Sequence, residues 1–350
     1  MGHGKTVAPW ERTVKLSRQH FSALPMAAPP RPRLLWLATG GTLAATGRGI
    51  AYHAGALSPE ALLAAIPEAG QYAELELASP FAMDSKDATP HHWLRLHAAI
   101  TQALARPELA GLVLSHGTDT LEETATLLAL TLAPTKPVVL TGAMRPPSEA
   151  GADGPRNLLH AIRLAADPDT PPGVFLVFGE AVFPAMGLRK AHTLALQPFA
   201  AEPRGALGSA FPWRPPPLEE RASPLPLPHP WPTVALLSAT ALDAPEALRQ
   251  TQETGAAAAV LLLPGHGSVP EAWEAPIADA AASGLLVVRA SRCGLGPVLP
   301  HPVDQRLGTL PAGLLSAPAA RVAAALVAPF PPAERQILWR ARFLPYGAEA

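Results

Sequence analysis

The chain has 350 residues, 48% apolar and 16% charged, enough to bury a sizeable core and to divide into two domains. Lys and Arg number 27 against 28 Asp and Glu, a formal charge of −1, so no global field draws the protein to nucleic acid or to an anionic membrane surface. No stretch is apolar for long enough to suggest a membrane span, and small molecules are the expected partners. The single cysteine, Cys293, excludes an internal disulfide, is expected to be an inert buried residue, and fits a reducing, cytoplasmic setting.

Residues 1–30 read as a mobile extension. Lys5, Arg12, Lys15 and Arg18 precede Pro25 without the continuous apolar segment of a secretory signal, and Met26, ahead of Ala27-Ala28-Pro29-Pro30, is a candidate start. An apolar run at 34–38 then predicts a buried strand leading into Thr39-Gly40-Gly41-Thr42. The two glycines permit a tight bend and the close approach of another molecule to the backbone, and Thr42 is a candidate nucleophile at the carboxyl end of the strand. Strand-to-turn glycines with a nearby threonine are also common in α/β domains without any catalytic role.

Further runs at 112–114, 138–141 and 174–178 lack polar alternation, as strands buried on both faces do. Helical patterns at 59–66, 92–104, 120–130 and 155–166 alternate with them. This βαβα order predicts an α/β fold with a mostly parallel sheet flanked by helices, here over residues 31–202. Prolines crowd the chain from 198 to 232, including Pro215-Pro216-Pro217, which excludes regular helix or central strand and predicts a linker at 203–232. A second pattern follows, with strands at 234–237, 258–263 and 285–289 and helices near 245–254 and 270–282. It predicts a smaller three-layer α/β domain over 233–350.

Chemistry-bearing residues gather at strand ends. The run Leu112-Val113-Leu114-Ser115-His116-Gly117-Thr118-Asp119-Thr120 delivers a hydroxyl and a carboxylate to the start of a helix, where backbone N–H groups can hold an anion. Asp119 or Thr120 could equally cap that helix, with Glu122 and Glu123 favouring its dipole. Thr141-Gly142-Ala143-Met144-Arg145, with Asp153-Gly154-Pro155-Arg156-Asn157 after it, reads as a ligand cradle or as a structural loop.

The segments Thr39-Gly40-Gly41-Thr42-Leu43-Ala44, Ser115-His116-Gly117-Thr118-Asp119-Thr120-Leu121-Glu122-Glu123-Thr124-Ala125 and the block 142–157 together resemble the L-asparaginase family. The likeness runs from about residue 33 to about 327 and is strongest before Phe199. It implies a threonine-dependent amidohydrolase that needs no metal or organic cofactor and turns L-asparagine into L-aspartate and ammonia. It further implies a homodimer or homotetramer whose sites are closed by a neighbour's second domain.

The resemblance places the nucleophile on Thr42 and a flap tyrosine on Tyr52. It assigns a second triad to Thr118, Asp119 and Lys190, and oxyanion-binding N–H groups to Gly41 and Thr118. Lys190 is reached by matching 187–199 to a family block that ends in phenylalanine nine residues after its lysine, although Met186 stands where many members have arginine. A threonine hydroxyl needs a base to take its proton, and a lysine serves if burial or a second cation favours its neutral form. Without the resemblance, Lys190 reads as a surface lysine beside Arg189.

Ser85 matches the serine that holds a substrate carboxylate, Asp119 would pair with the substrate ammonium, and Ala143 is assigned to substrate binding on the same grounds. Asp87 or Thr89 could instead cap the helix that begins near Pro90. Lys86 either strengthens the carboxylate site or points into solvent. In the second domain, Gly265-His266-Gly267-Ser268 carries serine where the family has asparagine. The glutamate some members take from a neighbouring subunit has no counterpart, the nearest aligned residue being His301.

Overall fold

The chain divides into two units, Met1–Pro30 and Arg31–Ala350. The computed structural model describes residues 30–48, 51–53, 55–215 and 222–344, without the side chains of residues 48 and 51–53. The extension expected over residues 1–30 therefore lies, except for Pro30, outside the described residues.

Within Arg31–Ala350 the chain begins with β1 (Arg33–Ala38), a ribbon of β2 (Thr46–Arg48) and β3 (Ala51–His53), α1 (Pro59–Ala64) and β4 (Glu74–Ala78). It continues with α2 (Pro90–Leu104), β5 (Leu109–Ser115), α3 (Leu121–Thr131), β6 (Pro137–Thr141), α4 (Gly154–Ala166) and β7 (Gly173–Phe178). Four short strands follow: β8 (Ala181–Pro184), β9 (Leu188–Lys190), β10 (Phe199–Ala201) and β11 (Gly208–Ser209). The first sheet has seven strands in the order β11-β8-β7-β6-β5-β1-β4. Strands β4, β1, β5, β6 and β7 run parallel, while β8 and β11 close the far edge antiparallel.

The apolar runs fill both faces of this sheet. Leu34, Trp36, Val113 and Val139 pack with α4 on one side, and Leu35, Leu37, Leu112, Leu114 and Leu140 pack with α2 and α3 on the other. Each strand side therefore needs an apolar residue, which is why no polar alternation marks these strands. The predicted α/β architecture is what forms. Gly208–Ser209 joins the first sheet from within the stretch expected as a linker. Farther along that stretch, Leu225 is buried and donates its N–H to Leu130 O at 2.8 Å. Proline excludes a ladder strand in mid-sheet but not an edge strand or an extended strap that buries side chains.

The second domain carries β12 (Val234–Ser238), α5 (Glu246–Glu253), β13 (Ala258–Leu263), α6 (Glu271–Ala282) and β14 (Leu286–Ser291). Then come α7 (Pro302–Leu307), β15 (Leu310–Pro311), α8 (Ala317–Val327) and α9 (Pro332–Phe343). Its four-stranded sheet is parallel in the order β12-β13-β14-β15. Helices α5 and α6 cover one face, and α8 and α9 cover the other.

Helix α3 belongs to both domains. Leu121, Ala125 and Leu128, at helical spacing, pack on the first sheet, whereas Leu127 and Leu130 join the core built on α8. Its apolar residues fall on two faces, and each face meets one of the two cores. The alanines of α8, among them Ala320, Ala323 and Ala324, leave room for the two helices to approach.

Cys293, expected to be buried, is exposed. It follows β14 on the turn Arg292-Cys293-Gly294, past the last strand residue that the core covers. Among the described residues no helix is long and apolar enough to cross a membrane.

Candidate active site

In the first sheet β1 lies between β4 and β5, so the chain leaves β1 to one side and returns on the other. At such a reversal the loops diverge and leave a crevice at the carboxyl ends of the strands. The turns carrying Thr42 and Thr118 both leave from this point.

Glycine makes their contact possible. Gly40 and Gly41 have φ of 97° and 76°, left-handed backbone that side chains disfavour. A Cβ on Gly41 would lie 2.5 Å from Gly117 Cα, and one on Gly117 would lie 2.5 Å from Ser85 Oγ. The turns after β1 and β5 thus touch backbone to backbone, and the Ser85 side chain packs directly against Gly117. Thr39 N–H and Oγ1–H both donate to Ser115 O, at 3.1 and 2.9 Å, and Trp36 Nε1–H donates to Ser115 Oγ at 2.9 Å. Gly41 N–H, expected to face an oxyanion, donates instead to Met83 O at 2.9 Å. The left-handed bend that presents Thr42 also turns this N–H toward the loop after β4.

Thr42 and Thr118 are each 6% exposed. Lys190, at the end of β9, sends Nζ to Thr118 Oγ1 at 2.9 Å and to Asp119 Oδ1 at 2.6 Å. Its side chain is 18% exposed, so the surface-lysine reading does not describe it. Neighbouring Arg189 is buried as well and donates to Gly294 O at 2.8 Å and to Leu314 O at 3.0 Å. Ser85 Oγ accepts Asp119 N–H at 3.2 Å, and Thr120 Oγ1–H donates to Ser85 O at 2.9 Å. Thr120 occupies the cap position of α3 without a side-chain capping bond, so its hydroxyl serves the loop of Ser85 rather than the helix. Asp119, Lys190, Ala191, His192 and Thr193 line a cleft of about 320 Å³.

Lys86, Thr89 and Ala143 make local contacts of their own. Tyr52 lies on β3 opposite Gly47 of β2, and its side chain is outside the described residues. Lys86 is an exposed cation paired with Asp84 at 2.5 Å and with Asp87 at 3.5 Å, on its own loop. Thr89 N–H donates to His92 Nδ1 at 3.2 Å at the start of α2. Ala143 is buried at the end of β6, its methyl turned toward Gly154. The block around it is a brace: Asp153 accepts the N–H groups of Met144 and Arg145 at about 3 Å, and Asn157 ties Gly142 O to Gly179 N–H, both at 3.0 Å.

Two residues of the second motif were not singled out as functional by their sequence. His116 is fully buried, and its Nδ1 lies 2.8 Å from Gly117 O, which can only accept; Nδ1 therefore carries the proton. Nε2 is left to accept from Thr124, whose oxygen takes the Trp93 indole N–H at 3.0 Å. Burial holds the His116 pKa below its ordinary 6.5, as this neutral ring requires. Glu122 turns away from the helix dipole to bond β9 and the second domain, and burial raises its pKa. In a segment this rich in polar residues nothing local set either of them apart.

Burial first, and then the neighbouring Glu122 carboxylate, push Glu123 from 4.5 up to about 7. A folded-state value above the unfolded one means that the native state holds the proton more tightly. The resulting stabilisation is complete below pH 4.5 and is lost as pH rises through about 7. Relative to the parent protein, Glu123→Gln is expected to gain on the order of 2–3 kcal/mol between about pH 5 and about pH 8. Denaturant midpoints at the two pH values measure this, and equal shifts at both would remove Glu123 from the pH dependence.

Among the described residues no group of three or more His, Cys, Asp or Glu side chains is placed to hold a metal ion. Residues 33–214 match the family model described as "Asparaginase, N-terminal", and residues 233–329 match "Glutaminase/Asparaginase C-terminal domain". The chain is 41% identical over 181 residues to a protein named "Probable L-asparaginase periplasmic" from Haemophilus influenzae, a match spanning 51% of each chain. It is 31% identical over 283 residues to "L-asparaginase 2" of Bacillus subtilis, covering 77% of this chain and 75% of that one. The crystal structure of a "Probable Cytoplasmic L-asparaginase" from Campylobacter jejuni superposes with a TM-score of 0.81 at 29% identity, covering 88% of this chain and 99% of that one. The two family models between them span both domains, and a relative at 31% identity is matched over 77% of this chain: the chain belongs to the asparaginase family.

Proposed function

We propose that the protein is an L-asparaginase that hydrolyses L-asparagine to L-aspartate and ammonia through a threonine acyl-enzyme. The observation that carries this reading is the contact of Lys190 Nζ with Thr118 Oγ1 and Asp119 Oδ1, at 2.9 and 2.6 Å, beside the turn of Thr42. Thr42 Oγ attacks the side-chain amide carbon, ammonia leaves, and water attacks the resulting ester to release aspartate and restore the hydroxyl. Lys190 serves as the base for a proton that Thr118 relays, and Asp119 fixes the position of Nζ.

Thr118 N–H keeps its assignment to the oxyanion, whereas the bond of Gly41 to Met83 argues against the same role for Gly41. Ser85 Oγ accepts from Asp119 N–H yet retains its own proton for a substrate carboxylate. Asp119, half exposed at the cleft, faces the substrate ammonium, and Tyr52 keeps the flap role that the family resemblance implies.

Broader amide specificity is the second reading. The matching C-terminal model carries glutaminase in its description, and a pocket separates substrates that differ by one methylene only by roughly 10–200-fold. Residues 31–202 would be the catalytic domain, 203–232 the connection and 233–350 the second domain. A homodimer or homotetramer would close each site with a neighbour's second domain. Leu194, Leu242 and Leu295, exposed on loops that follow β9, β12 and β14, support that arrangement. A cytoplasmic location is part of the proposal and rests on the single cysteine, the names of the relatives being divided between compartments.

Ammonia release from L-asparagine, L-glutamine and D-asparagine tests the reading. Turnover is expected on L-asparagine and is expected to disappear in Thr42→Ala and Thr118→Ala. Binding of L-asparagine with no ammonia released would make the protein an amino-acid binding module. Appreciable activity in either variant would remove that threonine from the mechanism.

A further inference from the structure

Glu122 sits in the first turn of α3, three residues after Asp119, and is 6% exposed. Its two oxygens reach away from its own helix. Oε2 accepts the backbone N–H of Lys190, and Oε1 accepts Ser316 Oγ–H at 3.1 Å. Ser316 caps α8 of the second domain, its Oγ also accepting Ala319 N–H at 3.2 Å. The two donors are 68 and 194 residues away from Glu122 in the chain.

Strand β9 is tied to the second domain at Arg189, by bonds to Gly294 O and Leu314 O, and Glu122 adds a tie at its last residue. The strand is three residues long, and its one ladder partner is β10, which is equally short. A ribbon of this size is marginal by itself and slides easily. Glu122 fixes its last residue to α3, the helix whose entry turn carries Thr118 and Asp119. Lys190 Nζ and the two groups it touches are thereby referred to one rigid element.

We propose that Glu122 is a positioning residue for Lys190: by clamping the Lys190 N–H and the Ser316 hydroxyl at once, it lets the second domain set the reach of Nζ to Thr118 and Asp119. This rests on the reading of Lys190 as part of the catalytic machinery. The clamp works through acceptor geometry. A glutamine can keep its carbonyl on the Lys190 N–H and turn its NH2 to Ser316 Oγ, whereas a methionine fills the space with only a weakly accepting sulfur.

Steady-state kinetics on L-asparagine, with Lys190→Ala as reference, test the proposal. Glu122→Met is expected to lower kcat by about 10–100-fold with KM within about twofold, because a reacting group displaced by a fraction of an ångström loses rate rather than affinity. Glu122→Gln is expected to restore kcat to within about threefold of the parent, and Ser316→Ala to lower it by less than Glu122→Met. Glu123→Gln, which removes a carboxylate one residue along without touching β9, should leave kcat unchanged.

Parent-like kcat in Glu122→Met overturns the proposal, as does a fall in Glu122→Gln equal to that in Glu122→Met. Should Glu122→Met fail to fold, Ser316→Ala decides, with hydrogen exchange of the Lys190 amide as a second readout. Parent-like kcat together with parent-like protection of that amide overturns the clamp. An inactive Lys190→Ala beside an unaffected Glu122→Met discards the positioning role alone. An active Lys190→Ala discards the catalytic reading of Lys190 and the clamp with it.

Discussion

Lys190→Ala is expected to lower kcat by about 10²–10⁴-fold while the protein stays folded, the range that one positioned proton-transfer group supplies. Its Nζ touches Thr118 Oγ1 and Asp119 Oδ1 and lines the cleft, so truncation removes a contact to the site and leaves its backbone bonds in place. Thr118→Ala should cost a similar factor. The double variant should cost little more than either single one, because two groups in one relay fail together. Multiplicative losses would mean that Lys190 and Thr118 act independently. Unchanged thermal unfolding in each variant is the control that separates lost chemistry from lost structure.

The largest effect on stability is expected at Asp304. Arg289, 1% exposed on β14, places Nε and Nη2 at 2.6 Å from the two oxygens of Asp304, and its remaining donors reach Gly267 O at 2.7 Å and Leu299 O at 3.2 Å. Asp304 also accepts His301 N–H at 2.9 Å and Thr309 Oγ1–H at 2.6 Å. Asp304→Ala would leave a guanidinium charge buried and uncompensated, which costs about 3–5 kcal/mol. Denaturant midpoints measure the loss. Combining Asp304→Leu with Arg289→Met should recover much of it, since two apolar groups leave no stranded charge. A double variant as unstable as Asp304→Ala would show that the loops at Gly267 and Leu299, rather than the charge, carry the energy.

Legibility in the sequence followed what local pattern can encode. The strands near 34–38 and 138–141 were readable because burial on both faces demands an unbroken apolar run. Strands β8 to β11 were not, because two to four residues leave no period to detect. Leu188-Arg189-Lys190 looks solvent-exposed, yet Arg189 is buried against Gly294 and Leu314 of the second domain. Cys293 failed in the opposite sense: its apolar character suggested the core, and its place on a turn put it in solvent.

The sequence by itself determined the α/β class, the two sheets and the glycine turns that hold Thr42 and Thr118, since these depend on apolar periodicity and on backbone that only glycine adopts readily. It also determined family membership, through motifs that lie within single turns. Tertiary structure alone decided that Lys190 meets Thr118 across 72 residues, that Gly41 N–H is taken by Met83, and that Glu122 binds β9 to the second domain. The reason is physical: a turn is fixed by its own dihedral angles, whereas a buried polar group takes whichever partner the packed fold brings within reach.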